Sequence, residues 1–174
     1  DYWEQQAEAS GSASRQALLD EGGQVLFEGN DQHPLLQRLS DDARARALIA
    51  APLLACTIDH LTPATESLRG GRQIAPMLRL MSGDLVLDEP DDFDIADLPA
   101  LTRLVHWAGL LGSRVLLSSA TLPPALVQGL YLAYAAGRAE FQRHRGRPGT
   151  ALDVRCAWFD EFGASASHHG EDPD

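Results

Sequence analysis

Asp88, Glu89 and Asp91 close one apolar run, and Ser118, Ser119 and Thr121 close another about thirty residues later. Carboxylates and hydroxyls brought together are the groups that hold a hydrated magnesium ion on a nucleotide and orient a water for attack on phosphate. The position of the clusters matters as much as their composition. Leu85-Val86-Leu87 and the run ending at Leu117 read as buried strands, and in open α/β sheets the ligand crevice lies beyond the carboxyl ends of the strands. An adjacent Asp and Glu at such a rim would set a metal ligand beside a proton acceptor.

The elements needed to position these groups are legible on both sides of them. Between the clusters Asp97 is placed to cap a helix, Pro99 suits its first turn, and Leu101, Leu104, Val105, Ala108 and Leu111 recur at helical spacing before Gly112. Strand, helix and strand over about thirty residues predict a right-handed crossover whose two parallel strands open on the same edge. Pro123-Pro124 starts another helix, carried by Leu126, Val127, Leu130, Tyr131 and Tyr134 towards Arg143 and Arg145, and Leu152 to Phe159 predicts a final strand. Upstream, Ser40-Asp41-Asp42 reads as the start of a helix over Ala43 to Ala50, and Leu53 to Ile58 predicts a third strand of the sheet, ending at Asp59-His60. Residues 1–34 read as a poorly defined loop or insert region. Residues 163–174 are small, polar and acidic, which predicts a disordered tail.

Composition bounds the rest. The 174 residues, 44% hydrophobic and 22% charged with a net charge of -11, fit one globular domain. No apolar span reaches the length needed to cross a bilayer and the start lacks a basic-then-apolar leader, so membrane and export roles have no support and a cytoplasmic setting is the default. Cys56 and Cys156 have no metal-type spacing, and Cys56, inside an apolar run, predicts a buried free thiol. All 14 basic residues are arginine. A G-x-x-x-x-G-K-[ST] phosphate loop is therefore impossible here, and Gly22-Gly23 and Gly70-Gly71 read as ordinary loops. If the acids serve a nucleotide, its triphosphate grip is expected upstream of Asp1, and the chain reads as a piece of a longer protein.

The motifs then carry a resemblance. Asp88-Glu89-Pro90-Asp91 resembles the second motif (D-E-x-D) and Ser119-Ala120-Thr121 the third (S-A-T) of superfamily 2 helicases, in the family's order and at a normal separation. The longer words Cys56-Thr57-Ile58-Asp59-His60-Leu61, Leu85 to Phe93, Leu117 to Pro124 and Trp158-Phe159-Asp160-Glu161-Phe162 are similar to those of the CRISPR-associated helicase-nucleases of type I systems, subtype I-F. The resemblance covers roughly residues 35–162. It implies the second half of the first RecA-like lobe of a P-loop NTPase, a three-layer α/β fold with a mainly parallel sheet that here lacks the Walker A strand. It further implies ATP and Mg2+ as cofactors. Asp88 would hold magnesium through a water, Glu89 would orient and deprotonate the attacking water, and Asp91 would share the nucleotide site. Ser119, Ala120 and Thr121 would couple that site to DNA, and Thr57 would touch the nucleic-acid backbone. The implied partners are single-stranded DNA, a crRNA-guided surveillance complex and the remaining lobes of the same polypeptide, in a prokaryotic cytoplasm. The nuclease centre and arginine finger would lie elsewhere, leaving the isolated chain unable to hydrolyse ATP.

The residues alone leave other readings open. The acidic turn could be a docking surface for a basic partner in a non-catalytic module, or the motifs could belong to another superfamily 2 branch acting on RNA. Asp92, Asp94 and Asp97 read as solvated acids, His60 and His106 as structural or surface residues, and Tyr131 and Tyr134 as packing. His168-His169 is a poor metal site. Arg69 and Arg72 could contact phosphate or be solvated. The net charge of -11 disfavours nucleic acid over most of the surface, so a positive groove would have to come largely from other regions.

Overall fold

A computed structural model describes Ile49 and residues 51–66 and 73–170. The chain divides into two compact units, Asp1–Leu54 and Ala55–Asp174. The first is almost wholly outside the described residues, and with it the expected loop region over 1–34 and nearly all of the helix expected over 43–50. Arg69 and Arg72 also lie outside them.

In the second unit, two short 3-10 turns, Ile58–His60 and Thr62–Thr65, precede helix α1 (Ile74–Ser82), strand β1 (Leu85–Asp88), helix α2 (Leu98–Leu111), strand β2 (Val115–Ser118) and helix α3 (Pro124–Arg145). Strands β3 (Asp153–Asp160) and β4 (Gly163–Gly170) follow. The fold is mixed α/β. Strands β1 and β2 pair in parallel, Leu85 opposite Val115 through Asp88 opposite Ser118, and α2 makes the crossover between them.

Alternation along β1 explains its placement. Leu85 and Leu87 are buried against Leu101, Leu104, Val105 and Ala108 of α2 together with Leu80 and Leu130, whereas Val86 and Leu116 remain 57% and 51% exposed. Each fully buried leucine contributes roughly 1.5–3 kcal/mol relative to exposure, so this stripe of α2 fixes which face of β1 turns inward. Helix α3 crosses α2 at two glycines. A Cβ on Gly137 would overlap the His106 carbonyl oxygen and come within 2.7 Å of the Leu110 nitrogen, and one on Gly109 would overlap the Tyr134 carbonyl. The two backbones therefore touch.

This crossing holds the start of β2. The Tyr134 hydroxyl donates to the Ser113 carbonyl at 3.0 Å, and the buried Ser113 hydroxyl donates to the Leu80 carbonyl of α1. Gly112, with φ of 90°, supplies the left-handed turn that ends α2 just before Ser113.

Several expectations are corrected. Leu53 to Ile58 is not a strand: Thr57 is extended, but its carbonyl accepts from the His60 amide at 3.1 Å and the chain turns into a 3-10 segment. An apolar run becomes a strand only where a neighbour takes its backbone hydrogen bonds, and among the described residues none does. Asp97 does not cap α2 through its side chain; its carbonyl accepts from Ala100 and Leu101 instead. Helix α1 has no counterpart in the sequence reading. The final strand, expected over Leu152 to Phe159, does form, but in an antiparallel hairpin with β4 rather than in the parallel sheet. Residues 163–170, expected to be disordered, are that partner. The cause is local: Asp160 Oδ1 accepts from the amides of Phe162 and Gly163 at 2.9 and 3.0 Å, which closes a two-residue turn and sets the register. The edge of the Tyr131 ring on α3 meets His169, with centroids 5.4 Å apart.

Candidate functional site

Strands β1 and β2 run in register with a constant offset of thirty residues, so whatever follows them in sequence is also placed side by side. Asp88 and Ser118 form the last strand pair, and the Ser118 hydroxyl donates to Asp88 Oδ1 at 2.9 Å. One residue on, the Glu89 amide donates to the Ser118 carbonyl at 2.7 Å and the Ser119 hydroxyl donates to Glu89 Oε2 at 2.8 Å. Two residues further, the Thr121 hydroxyl donates to Asp91 Oδ2 at 2.6 Å. Three carboxylates on one tip thus meet three hydroxyls on the other.

Local backbone geometry makes this possible. Glu89 sits at φ 47°, ψ 54°, the single non-glycine residue at positive φ among those described. A left-handed conformation costs a non-glycine residue about 1–2 kcal/mol. It turns the chain sharply out of β1 into the 3-10 segment Pro90–Asp92, whose Pro90 is fully buried and whose Asp92 amide donates to the Glu89 carbonyl at 3.1 Å. The turn brings Asp91 back over the end of β2. On the other tip, the Thr121 amide donates to Ser119 Oγ at 3.1 Å, so Ser119 is both donor and acceptor. Ala120 is exposed, and its backbone sets the separation of the two hydroxyls.

The electrostatics differ among the three acids. The hydroxyls of Ser119 and Thr121 hold the Asp91 carboxyl below the ordinary carboxylate range. Thr121 bonds Asp91 Oδ2 directly, and the Ser119 hydroxyl, which also bonds Glu89 Oε2, stands beside it. Asp91 Oδ1 is shielded from solvent without a donor among the described residues. Asp88 and Glu89 are exposed, and their second oxygens, Asp88 Oδ2 and Glu89 Oε1, accept no hydrogen bond from the described residues. Each of these side chains is thus held through one oxygen by a neutral hydroxyl.

The other expected site residues are placed less centrally. Thr57 is exposed, with no bond from its hydroxyl to any described residue, and it takes no part in the cluster. Asp92, Asp94 and Asp97 are exposed. His106 Nδ1 lies 3.2 Å from the Ala133 carbonyl, joining α2 to α3, and Tyr134 serves Ser113, both structural uses. His168 faces Asp153 at 3.3 Å, and His169 bonds Ser167 at 2.9 Å. Cys56 and Cys156 are free and half-buried, and burial pushes both thiols up from their ordinary range.

Two residues have bonds that the sequence alone does not assign. Ser118 is one, although it stands in the hydroxyl run expected at this rim. The other is Arg114, which grips Asp84 at the opposite end of the strand pair: Nη2 to Oδ2 at 2.6 Å, Nε to both oxygens at 3.1 Å, and the Arg114 amide to Oδ1 at 3.1 Å. The recurring separation of thirty, shared by Asp84 and Arg114, Asp88 and Ser118, Glu89 and Ser119, and Asp91 and Thr121, is the signal in the sequence that could have found both.

No family model matches the chain. It is 65% identical over 168 residues, 96% of its length, to the CRISPR-associated nuclease/helicase Cas3 subtype I-F/YPEST of Pseudomonas aeruginosa, and 54% identical over 169 residues to the protein of the same description from Pectobacterium atrosepticum. A CRISPR-associated endonuclease/helicase Cas3 of Thermus thermophilus is 33% identical over 58% of the chain. The chain spans 16%, 15% and 10% of the lengths of these three relatives.

Proposed function

We propose, for a chain whose sequence is that of a segment of the CRISPR-associated nuclease/helicases of subtype I-F, that the rim of β1 and β2 is the magnesium-nucleotide edge of a RecA-like helicase lobe. The observation that carries this reading is the convergence of Asp88, Glu89 and Asp91 with Ser118, Ser119 and Thr121 at one open strand end.

The donor set fits the ion. No group of three or more His, Cys, Asp or Glu side chains among the described residues could enclose a metal. Magnesium takes one or two carboxylates and fills its remaining positions with water and substrate phosphate, and Asp88, whose Oδ2 has no donor among the described residues, would supply the carboxylate. Magnesium bound there would neutralise charge developing on the phosphates. Asp88, oriented by Ser118, would hold the ion through a water. Glu89, oriented by Ser119, would position the attacking water and receive its proton, and it contributes mainly by placement, because phosphoryl transfer depends on geometry and electrostatics more than on covalent chemistry. The Asp91–Thr121 bond ties the nucleotide side of the rim to the tip that leads into α3. Movement at one tip would thereby reach the other, the coupling of ATP state to DNA contact.

With no lysine in the chain, the triphosphate grip of this reading lies on other parts of the polypeptide, as do the second lobe and nuclease centre. Thr57 would touch the DNA backbone from the start of the second unit. The whole protein would act in a prokaryotic cytoplasm, recruited by a crRNA-guided complex to unwind and degrade target DNA. Among the described residues no helix is long and apolar enough to cross a membrane.

Single-stranded-DNA-stimulated ATP turnover by the full-length protein tests this. Asp88→Asn is expected to weaken magnesium binding and remove turnover, and Glu89→Gln to remove turnover while nucleotide binding persists. Turnover at the parental rate in both variants would overturn the reading.

A further inference from the structure

We propose that Ser118 is a positioning residue for Asp88, fixing the carboxylate so that Oδ2 is presented to the metal while its negative charge stays intact. The inference rests on the role given to Asp88 above and adds a residue outside the D-E-x-D and S-A-T words. Three observations support it. Ser118 is the last residue of β2 and stands directly opposite Asp88 in the parallel register, so its hydroxyl meets Oδ1 at 2.9 Å without any departure from strand geometry. Asp88 is exposed and receives no other side-chain donor from the described residues, so among them the Ser118 bond is the one that restrains rotation of its carboxylate. The opposite end of the same strand pair uses a different solution: Arg114 occupies both oxygens of Asp84 and neutralises them. A carboxylate that must attract a cation cannot be held in that way. A hydroxyl orients it and leaves one oxygen and the full charge available.

Partners that orient a metal ligand from behind are typically worth about 10- to 100-fold in metal affinity or activity. For a site where the ion keeps most of its waters, the lower end applies, about tenfold. The test uses the full-length protein with Mn2+ as the spectroscopic stand-in for Mg2+ and a non-hydrolysable ATP analogue. Mn2+ affinity is read by electron paramagnetic resonance, and the Mg2+ concentration for half-maximal ATP turnover is measured alongside. Ser118→Ala is expected to weaken Mn2+ about tenfold and to raise the half-maximal Mg2+ concentration by a similar factor. The thermal midpoint without metal or nucleotide should stay at the parental value, and Ser118→Thr should restore both metal readouts.

Parental Mn2+ affinity in Ser118→Ala, alongside Asp88→Asn that has lost binding, would overturn this inference and leave the reading of the site standing. Failure of Ser118→Thr to restore affinity would also overturn it. Parental Mn2+ affinity in Asp88→Asn would remove the reading of the site itself, and this inference with it.

Discussion

The two ends of the β1–β2 pair share one register and differ in chemistry. At the amino end Asp84 meets Arg114, a bidentate ion pair in which both carboxylate oxygens are occupied and the charges cancel. At the carboxyl end Asp88, Glu89 and Asp91 meet Ser118, Ser119 and Thr121, and the carboxylates are held by neutral hydroxyls. Under the proposed reading a cation has nothing to bind at the first end, whereas Asp88 Oδ2 and Glu89 Oε1 have no donor among the described residues at the second. The contrast is between two ways of holding an acid: an arginine ends a carboxylate's capacity for ligands and a hydroxyl only aims it.

The largest expected effect comes from removing the carboxylate proposed to receive the proton, at the carboxyl end of the pair. Glu89→Gln should lower ATP turnover in the full-length protein by roughly 10²–10⁴-fold, the usual worth of a positioned general base, with the metal-free melting temperature little changed because Glu89 is exposed. An equal loss from Asp84→Asn would erase the distinction between the ends.

Next is the frame that both ends share. Gly137→Ala would drive a Cβ into the His106 carbonyl and force α3 away from α2, and the Tyr134–Ser113 bond that sets the start of β2 would loosen. Overpacking of this kind costs about 1–3 kcal/mol. Thermal unfolding should show that loss, with turnover reduced as the strand tips lose registry. Gly129→Ala, on the same helix with nothing near its Cβ position, is the matched control and should leave unfolding at or slightly above the parental value.

The smallest effects concern acid stability. Arg114 holds the Asp84 carboxyl below its ordinary value of 3.8, and Ser119 with Thr121 does the same for Asp91. Depressed values mean that both groups contribute stability at neutral pH and down to the unfolded value, and lose it as the pH falls through the folded one. Arg114→Ala should therefore move the onset of acid unfolding to higher pH, an effect weakened by salt because the pair is exposed. Thr121→Val should shift it in the same direction and by less, with little salt dependence, since Ser119 remains and no ion pair is lost. Acid titration followed by circular dichroism at low and high ionic strength separates the two.

The sequence shows where the site is better than it shows the surroundings. The apolar runs, the Pro-started helices and the stripe from Leu101 to Leu111 follow local rules, and they are enough to predict parallel strands opening on one edge. What escaped depends on partners distant in sequence or on turn geometry. Leu53 to Ile58 has the composition of a strand, but a strand needs an edge to join. Ala164-Ser165-Ala166-Ser167 looks too polar and small to order, yet those side chains leave room beside Trp158 and Phe159 once Asp160 has closed the turn. Of the site, the carboxylates and the S-A-T word stand out by type. Ser118 and Arg114 do not, because their roles follow only from the register that places residues thirty apart side by side.

The contrast between the two ends is tested most directly by moving the arginine solution to the carboxyl end. Ser118→Arg in the full-length protein would place a guanidinium opposite Asp88, and magnesium-dependent binding of a non-hydrolysable ATP analogue, measured by calorimetry, should be lost while Arg114→Ser retains it. Parental magnesium-dependent binding in Ser118→Arg would contradict the claim that an uncancelled Asp88 holds the ion.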